Sequence, residues 1–269
     1  MTMEALAERD AKAGRPAVRV QRRRALYPLH VPPRIEDYIP DDQWAVFRPA
    51  IRAAHALGVP FAIGGGLAIS FYTGQWRNSK DIDLYVLPQQ RDRVIAAVLG
   101  TGLHDLYDEQ PYDRAWIFRA VRDGVIVDVM WALANGAGEV EPGWLVRGAS
   151  TEVRGEPLRL LAPEEMFWSK VHVVQRDRCD WPDLLNLLYA TGPQFDWTRL
   201  VQRMAGHERL LASIVALFAW IAPGRARLLP EWLWRRLHLD MPPAGPMRCD
   251  EHIRLLDTRD WFTQVDPAR

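Results

Sequence analysis

The sequence predicts an α/β (α+β) fold in which a mixed, twisted sheet is flanked by helices and is followed by a C-terminal helical module. Three observations support this prediction. Up to residue 162, short apolar runs with strand periodicity alternate with segments of helical periodicity. From residue 163 onward only helical periodicity remains, and before residue 41 neither pattern is present. We therefore predict a basic N-terminal extension at 1–40, an α/β domain at 41–162 and a helical domain at 163–269.

The α/β domain is predicted to begin with a helix that Asp41 or Asp42 caps and that ends near Leu57. Its other predicted elements are a strand at 60–63, a helix at 67–73, a strand at 81–86, a helix at 89–99, a hairpin of 115–121 and 125–131 that turns at Asp123 and Gly124, and short strands at 151–154 and 158–161. The helical domain has predicted helices at 163–177, 181–190, 197–206, 208–221 and 230–238, and then a tail rich in proline and charge.

Charge and composition exclude several classes of protein. The 34 basic residues equal the 34 acidic ones, which argues against broad nucleic-acid binding. The first 34 residues hold eight basic and three acidic residues, which is typical of a surface-draped arm or of a contact for nucleic acid or an acidic partner. Two cysteines without a metal-binding spacing fit a reduced, cytoplasmic setting. The longest apolar stretch, 210–222, is too short to cross a membrane, so no membrane partner is expected.

The first chemical motif is a pair of carboxylates on a predicted strand. Asp81 and Asp83 are two residues apart, so both side chains point to the same face. Neighbouring carboxylates repel each other unless a cation lies between them, and Mg²⁺ prefers such oxygen ligands. By itself this short pattern is a weak indication of catalysis.

The second motif is the glycine turn that joins a predicted strand to a helix. Gly64, Gly65 and Gly66 allow the backbone to turn sharply and to approach a ligand closely. The N-terminus of the following helix offers free N–H groups and a positive dipole, which favour a phosphate. The alternative is an ordinary strand-to-helix turn.

A polar segment precedes the carboxylates, and a third acid follows them. Arg77 and Lys80 are candidates for contacts with phosphate, and Ser79 is a candidate for a phosphate hydrogen bond or a turn cap. The alternative is a solvated loop. Asp128 lies in an otherwise apolar strand, where an unpaired carboxylate is costly. A metal shared with the first two aspartates, or a structural salt bridge to an arginine, would supply its partner.

Together these motifs resemble the DNA polymerase β-like nucleotidyltransferase superfamily. The glycine turn at 63–66, the Arg-x-Ser-x-Asp-x-Asp pattern at 77–83 and the later acid look like its small bacterial branches, which are the AbiEii-like toxins and the minimal and antibiotic nucleotidyltransferases. The resemblance covers roughly residues 44–190 and implies the nucleotidyltransferase fold, with 41–162 as the catalytic domain. The sequence departs from the pattern at Gly66, where many members carry a serine whose hydroxyl contacts the outer phosphates.

The resemblance implies an enzyme that moves a nucleoside monophosphate from a nucleoside triphosphate, such as ATP, to a hydroxyl acceptor and releases pyrophosphate. The acceptor is a small molecule, a protein or RNA. Two Mg²⁺ ions are expected on Asp81, Asp83 and Asp128, and the phosphates are expected over Gly65 and Gly66. Lys170, on the first helix of the helical domain, is the candidate that faces the triphosphate, with a surface lysine as the alternative.

Two other hypotheses remain open at this point. One is an inactive nucleotide-binding or antitoxin-like module of the same fold, which the altered glycine turn favours and the three intact aspartates oppose. The other is an unrelated α/β protein with a chance match. The oligomeric state is not predicted.

Overall fold

The computed structural model describes residues 38–76, 79–258 and 261–262. The basic extension predicted at 1–40 therefore lies outside the described residues, apart from its last three positions. Arg77, one of the candidate phosphate ligands, also lies outside them. No helix among the described residues is both long enough and apolar enough to cross a membrane.

Strands and helices alternate in the first half of the described chain, and helices dominate the second half. The strands are β1 (Phe61–Ile63), β2 (Asp81–Val86), β3 (His104–Asp105), β4 (Ile117–Arg122), β5 (Val125–Met130), β6 (Ser150–Val153) and β7 (Glu156–Arg159). The α-helices are α1 (Asp41–Ala56), α2 (Gly65–Thr73), α3 (Arg91–Leu99), α4 (Trp144–Arg147), α5 (Pro163–Val171), α6 (Trp181–Thr191), α7 (Trp197–Arg203), α8 (Glu208–Ile221), α9 (Pro223–Ala226), α10 (Glu231–Arg236) and α11 (Asp250–Leu256). Short 3₁₀ turns precede α3, follow β3 and follow α6.

Five strands form one mixed sheet in the order β1-β2-β5-β4-β3. Only β2 and β5 run parallel, and the other neighbours are antiparallel. Helices α1 and α3 pack against each other and against β5, whereas α2 packs against β2, α5 and α6. The predicted α/β fold with a mixed sheet flanked by helices is therefore confirmed.

The hairpin of β4 and β5 forms as predicted. Its two turn residues, Asp123 and Gly124, have φ values of 54° and 73°. Two consecutive residues with positive φ are typical of the type I′ turn, whose twist matches that of antiparallel strands. This turn sets the register in which Arg119 lies opposite Asp128.

Helix α1 buries the predicted apolar face, which includes Trp44, Phe47, Ile51 and Ala54. The prediction that Asp41 or Asp42 caps this helix is wrong by one or two residues, because Pro40 occupies the N-cap position and makes no side-chain cap. Asp41 and Asp42 instead lie in the first turn, where their charges interact favourably with the helix dipole.

Helix α5 is shorter than predicted, since it ends at Val171 rather than at residue 177. The Lys170 ammonium binds the Asp180 carboxylate at 2.7 Å. A continuous helix would separate residues ten positions apart by about 15 Å, so the chain must turn back to make this ion pair. A bridge between Val174 and Cys179 closes the resulting loop.

The segment after β7 contacts the end of β1, directly before the glycine turn. Leu160 pairs with Ile63 at the end of β1, and the Leu161 N–H donates to the Ile63 carbonyl at 2.9 Å. Gly148 packs directly on this segment, because a Cβ at position 148 would lie 1.9 Å from the Leu160 carbonyl oxygen. Buried apolar residues of this region and of the later helices belong to one core. The domain boundary at 162 and 163 stays a prediction.

We expect Gly148→Ala to destabilise the protein by about 2 kcal/mol or more, since the added methyl group overlaps backbone that cannot rotate away. Gly143→Ala is the matched control, because its Cβ meets nothing closer than 3.5 Å and its φ of −61° suits alanine. Denaturant unfolding monitored by circular dichroism measures both changes. Equal stabilities for the two variants would contradict the packing described for Gly148.

Candidate active site

The candidate site is centred on two aspartates that face each other across neighbouring strands. Asp83 on β2 is in register with Asp128 on β5. Neighbouring strands lie about 4.8 Å apart, and paired residues point to the same face. Asp81 precedes Asp83 by two residues and shares that face. The two carboxylate motifs found in the sequence are thus brought together by the parallel pairing of β2 with β5.

The glycine turn lies directly against this pair. The Gly64 N–H donates to the Asp83 carbonyl at 3.0 Å, which ties the turn to β2. Gly65 has φ +57°, and a Cβ at this position would lie 1.5 Å from Asp83 Oδ2. Position 65 therefore accepts only glycine, both for its backbone conformation and for its space. The free N–H groups at the start of α2 lie beside the Asp83 carboxylate as a result.

Asp128 has a protein partner on the next strand. The Arg119 guanidinium donates to it through Nε, 3.1 Å from Oδ1, and through Nη2, 2.9 Å from Oδ2. Asp128 is only 1% exposed, so this fork satisfies a carboxylate that burial would otherwise leave costly. The salt bridge that was one of two alternatives for Asp128 is present, and it leaves lone pairs on both oxygens for another ligand.

Burial and crowded negative charge make the ionised form of Asp83 unfavourable. Desolvation raises the pKa of Asp83 above its ordinary value, and the charges of Asp128 and Asp81 raise it further. Burial also raises the pKa of Asp128, although the hydrogen bond from Arg119 opposes this rise. The protein surroundings thus do not fully compensate the ionised forms of these two carboxylates, and a bound cation would favour ionisation.

The polar segment before β2 contributes one contact and one exposed charge. The Ser79 hydroxyl donates to Asp81 Oδ1 in a close hydrogen bond. The Lys80 side chain is exposed, while its backbone carbonyl accepts from the Ile126 N–H at 2.8 Å. Gly66 lies beside Ser79, because a Cβ at position 66 would be 3.1 Å from the Ser79 Cβ.

Lys170 lies near the site but is held by acidic residues. Its ammonium group binds Asp180 at 2.7 Å and Asp183 at 3.0 Å, and it is 8% exposed. Its charge lowers the pKa of Asp83, against the larger effects that raise it. Lys170 is thus a buried, paired cation whose charge acts on Asp83. The alternative prediction of a surface lysine is wrong.

The donor set suits a hard cation, but its side chains are turned toward protein partners. Among the described residues, no group of three or more His, Cys, Asp or Glu side chains is arranged to hold a metal ion. Asp81 is turned toward Ser79, and Asp128 toward Arg119. The carboxylate chemistry and the unbalanced negative charge nevertheless fit Mg²⁺, which takes few protein carboxylates and completes its shell with water and phosphate oxygens.

Arg119 was not predicted as a site residue from the sequence, whereas the pairing of a later aspartate with basic residues, among 176, 178, 180 and 183, was part of the resemblance. Arg119 follows from the hairpin register, since Arg122 pairs with Val125, and counting three residues along each strand pairs Arg119 with Asp128. Arg178 binds Asp180 through Nε and Nη2, each at 3.0 Å. Its pKa is raised by this hydrogen bond and, less strongly, by Asp83 and Asp81.

Residues 53–223 match the model of a protein family described as uncharacterised nucleotidyltransferase. This match spans more than half of the chain. The chain belongs to this nucleotidyltransferase family. The resemblance drawn from the glycine turn and the aspartates is therefore confirmed, and so is the class of enzyme. An unrelated α/β protein with a chance match is excluded.

Solved structures similar to this nucleotidyltransferase include ANT(2'')-Ia in complex with adenylyl-2''-tobramycin. That similarity has 21% identity and a TM-score of 0.46, and it covers 61% of this chain and 96% of the other. The lincosamide antibiotic adenylyltransferase LnuA is 15% identical, with a TM-score of 0.39 and coverage of 55% and 96%. A comparison with curated proteins gives no match. The assignment rests on the family match.

We expect Gly65→Ala to reduce nucleotide transfer by at least about a hundredfold, because the methyl group must displace the Asp83 carboxylate. Gly58→Ala is the control: Gly58 has a similar φ of +64° but no neighbour within 4 Å of its added Cβ. Gly58→Ala should lose only about 1–2 kcal/mol of stability, because alanine is strained in a left-handed backbone conformation, and it should keep its activity. Equal activities of the two variants would contradict the close approach of Gly65 to Asp83.

Asp83→Asn is expected to stabilise the protein in metal-free buffer, by at least about 1 kcal/mol near pH 8. The pKa of Asp83 is higher in the folded than in the unfolded chain, so the wild type loses stability as the pH rises from the unfolded pKa, about 4, through the folded pKa. Asparagine carries no charge and avoids this loss.

Unfolding by denaturant in the presence of a chelator, at a series of pH values from 4 to 9, measures the difference. Asp240→Asn, at an exposed position, serves as the control. A variant no more stable than the wild type at high pH would show that the Asp83 charge is balanced within the protein.

Proposed function

We propose that this nucleotidyltransferase uses Mg²⁺ to move a nucleoside monophosphate from a nucleoside triphosphate, with ATP as one candidate, to a hydroxyl acceptor, with release of pyrophosphate. The observation that carries the proposal is the register of Asp83 with Asp128, next to a glycine turn whose Gly65 touches the Asp83 carboxylate. Carboxylates suited to a metal ion and a helix N-terminus suited to a phosphate lie together at this point, which supports the transfer of a nucleotidyl group.

In this proposal the triphosphate lies over Gly65 and Gly66 at the start of α2, where free N–H groups and the helix dipole favour an anion. Gly64 anchors the turn through its hydrogen bond to the Asp83 carbonyl. The basic side chains assigned to the phosphates are Arg77, Lys80 and Lys170, and Ser79 is assigned as a hydroxyl donor. Lys170 acts from within its ion pairs, which hold its ammonium group in place.

Asp81, Asp83 and Asp128 are the residues that would hold two Mg²⁺ ions. Bound there, Mg²⁺ would lower the pKa of the acceptor hydroxyl and stabilise the charge that develops on the phosphates. Arg119 keeps the Asp128 carboxylate on the strand face that it shares with Asp83. Asp128 is also assigned a secondary role as the base that accepts the acceptor proton, which the rise of its pKa on burial supports.

The proposed acceptor is a small molecule, a protein side chain or an RNA 3′ end. Equal numbers of basic and acidic residues favour the first two over RNA, whereas the excess of basic residues in the first 34 positions favours RNA. A reduced, cytoplasmic setting is part of the proposal, because Cys179 and Cys249 are free thiols.

The test uses the four nucleoside triphosphates, each labelled at the α-phosphate, with Mg²⁺ and with or without cell lysate. The expected result is label on a lysate component and release of unlabelled pyrophosphate. Fractionation into small molecules, protein and RNA then identifies the acceptor class. Asp83→Asn and Asp81→Asn are expected to lower transfer by at least about a thousandfold, because each removes a ligand of the reacting metal.

The matched control is Asp240→Asn, whose exposed side chain lies outside the site. It should transfer label at the wild-type rate. Wild-type activity in Asp83→Asn, with the fold intact by circular dichroism, would refute the assignment of the site. Triphosphate binding without release of pyrophosphate under all conditions would instead support an inactive nucleotide-binding module.

A further inference from the structure

The glycine turn, two of the aspartates and an arginine form one row across the sheet. Gly65 lies against Asp83, and Asp83 is in register with Asp128. Asp128 is in turn in register with Arg119 on β4, and paired residues point to the same face of a sheet. In the proposed function the triphosphate lies at the Gly65 end of this row. Attack on the α-phosphate is in line with the leaving pyrophosphate, so the acceptor comes from the opposite end, where Arg119 lies.

The Arg119 guanidinium uses only part of its donor set on Asp128. Nε and Nη2 bind the carboxylate at 3.1 Å and 2.9 Å, and among the described residues Nη1 has no hydrogen-bond partner. The Arg119 side chain is 29% exposed. Its neighbours on the same face of β4, Ile117 and Val121, are apolar and only 2% and 6% exposed. The guanidinium therefore reaches an opening between buried apolar residues and has donors available there.

The charge of Arg119 opposes a cation site unless an anion joins it. A guanidinium stays protonated in proteins, so a cation bound by Asp128 would lie beside a permanent positive charge that repels it. The triphosphate supplies negative charge at the Gly65 end of the row. An anion at the Arg119 end would relieve the repulsion there, and a guanidinium binds phosphate or carboxylate oxygens through its forked donors.

We propose that Arg119 selects the acceptor by binding a phosphate or carboxylate group that lies next to the reacting hydroxyl. The inference rests on the proposed function, because it takes that hydroxyl to react at a cation held by Asp128. It narrows the acceptor to a small hydroxylated molecule that carries such an anionic group, or to an RNA 3′ end, whose phosphates supply the same chemistry. Neutral or cationic small molecules and protein side chains are not acceptors in this proposal.

Fractionation of a cell lysate before the reaction tests the charge of the acceptor. Ultrafiltration separates small molecules from macromolecules, and an anion-exchange column at neutral pH then divides the small molecules. Each fraction is incubated with the wild type, Mg²⁺ and the α-labelled nucleoside triphosphates. Acceptor activity is expected in the small molecules that the column retains, or in macromolecules that lose it on nuclease treatment. Activity in the unretained small molecules, or in macromolecules that lose it on protease treatment, overturns the inference.

Arg119→Lys tests whether the guanidinium makes the contact, because lysine keeps a positive charge beside Asp128 but lacks the fork of donors. With the active fraction as acceptor, the KM for the acceptor is expected to rise about ten- to a hundredfold, the usual effect of losing a hydrogen bond to a charged group. The KM for the triphosphate should stay within about threefold of the wild type. A role in holding Asp128 alone would lower kcat and leave the acceptor KM unchanged.

Arg248→Lys is the matched control, because Arg248 is also a partly buried arginine in an ion pair, with Asp250 at the start of α11. Both of its KM values should equal those of the wild type. Inorganic phosphate provides a second measurement that needs no identified acceptor. At saturating triphosphate it should compete with the acceptor in the wild type, and its inhibition constant should be at least about tenfold higher in Arg119→Lys. Circular dichroism establishes that each variant is folded.

The inference is overturned if Arg119→Lys keeps the wild-type KM for the acceptor, or if phosphate inhibits this variant and the wild type equally. Either result, with a wild type that transfers label, leaves the proposed function intact and removes only the role of Arg119 in selecting the acceptor. A wild type that transfers label to no fraction overturns the proposed function together with this inference.

Discussion

The parallel pairing of β2 with β5 is the contact on which the site depends, because it places Asp83 opposite Asp128. Among the described strands of this sheet it is the one parallel pairing, since the other neighbours are antiparallel. Burial together with repulsion raises the pKa of both carboxylates, so this pairing costs the metal-free protein stability. A protein that keeps such a pair has a use for the concentrated negative charge, and binding of a cation is the use that the neighbouring phosphate-type turn suggests.

The surrounding residues limit this electrostatic cost without removing it. Arg119 neutralises one carboxylate through a fork of hydrogen bonds, and Ser79 donates to Asp81. On the other side, Asp180 and Asp183 hold Lys170 within electrostatic range of Asp83. Gly65 completes the arrangement by its lack of a side chain, which lets the N–H groups of α2 approach the acids. These protein contacts hold the carboxylates and Lys170 in place. They leave hydrogen-bonding and metal-binding capacity on these groups, so the site can still bind a ligand.

Local patterns were sufficient to predict the glycine turn and the strands that carry Asp81, Asp83 and Asp128, whereas the role of these aspartates as metal ligands stays a prediction. The strand of the first two aspartates is indicated by the polar and apolar alternation in Asp81-Ile82-Asp83, and the strand of Asp128 by the apolar residues around it. Features that depend on distant contacts were not predictable in this way. The early end of α5 accompanies an ion pair between residues ten apart, Lys170 and Asp180, which helical periodicity does not indicate. The close approach of Gly66 to Ser79, with 3.1 Å between an added Cβ at position 66 and the Ser79 Cβ, is likewise not indicated by any spacing in the sequence.

In the proposed function, the three aspartates bind a divalent cation together with a triphosphate. Titration of the wild-type protein with Mn²⁺, an octahedral oxygen-preferring substitute for Mg²⁺, followed by electron paramagnetic resonance, tests it directly. Binding should be weak for the protein alone, because Ser79 and Arg119 hold two of the carboxylates. Addition of a nucleoside triphosphate should produce protein-bound Mn²⁺ at a stoichiometry of up to two per chain. The same free Mn²⁺ signal with and without protein, at saturating triphosphate, would show that the aspartates do not bind the cation.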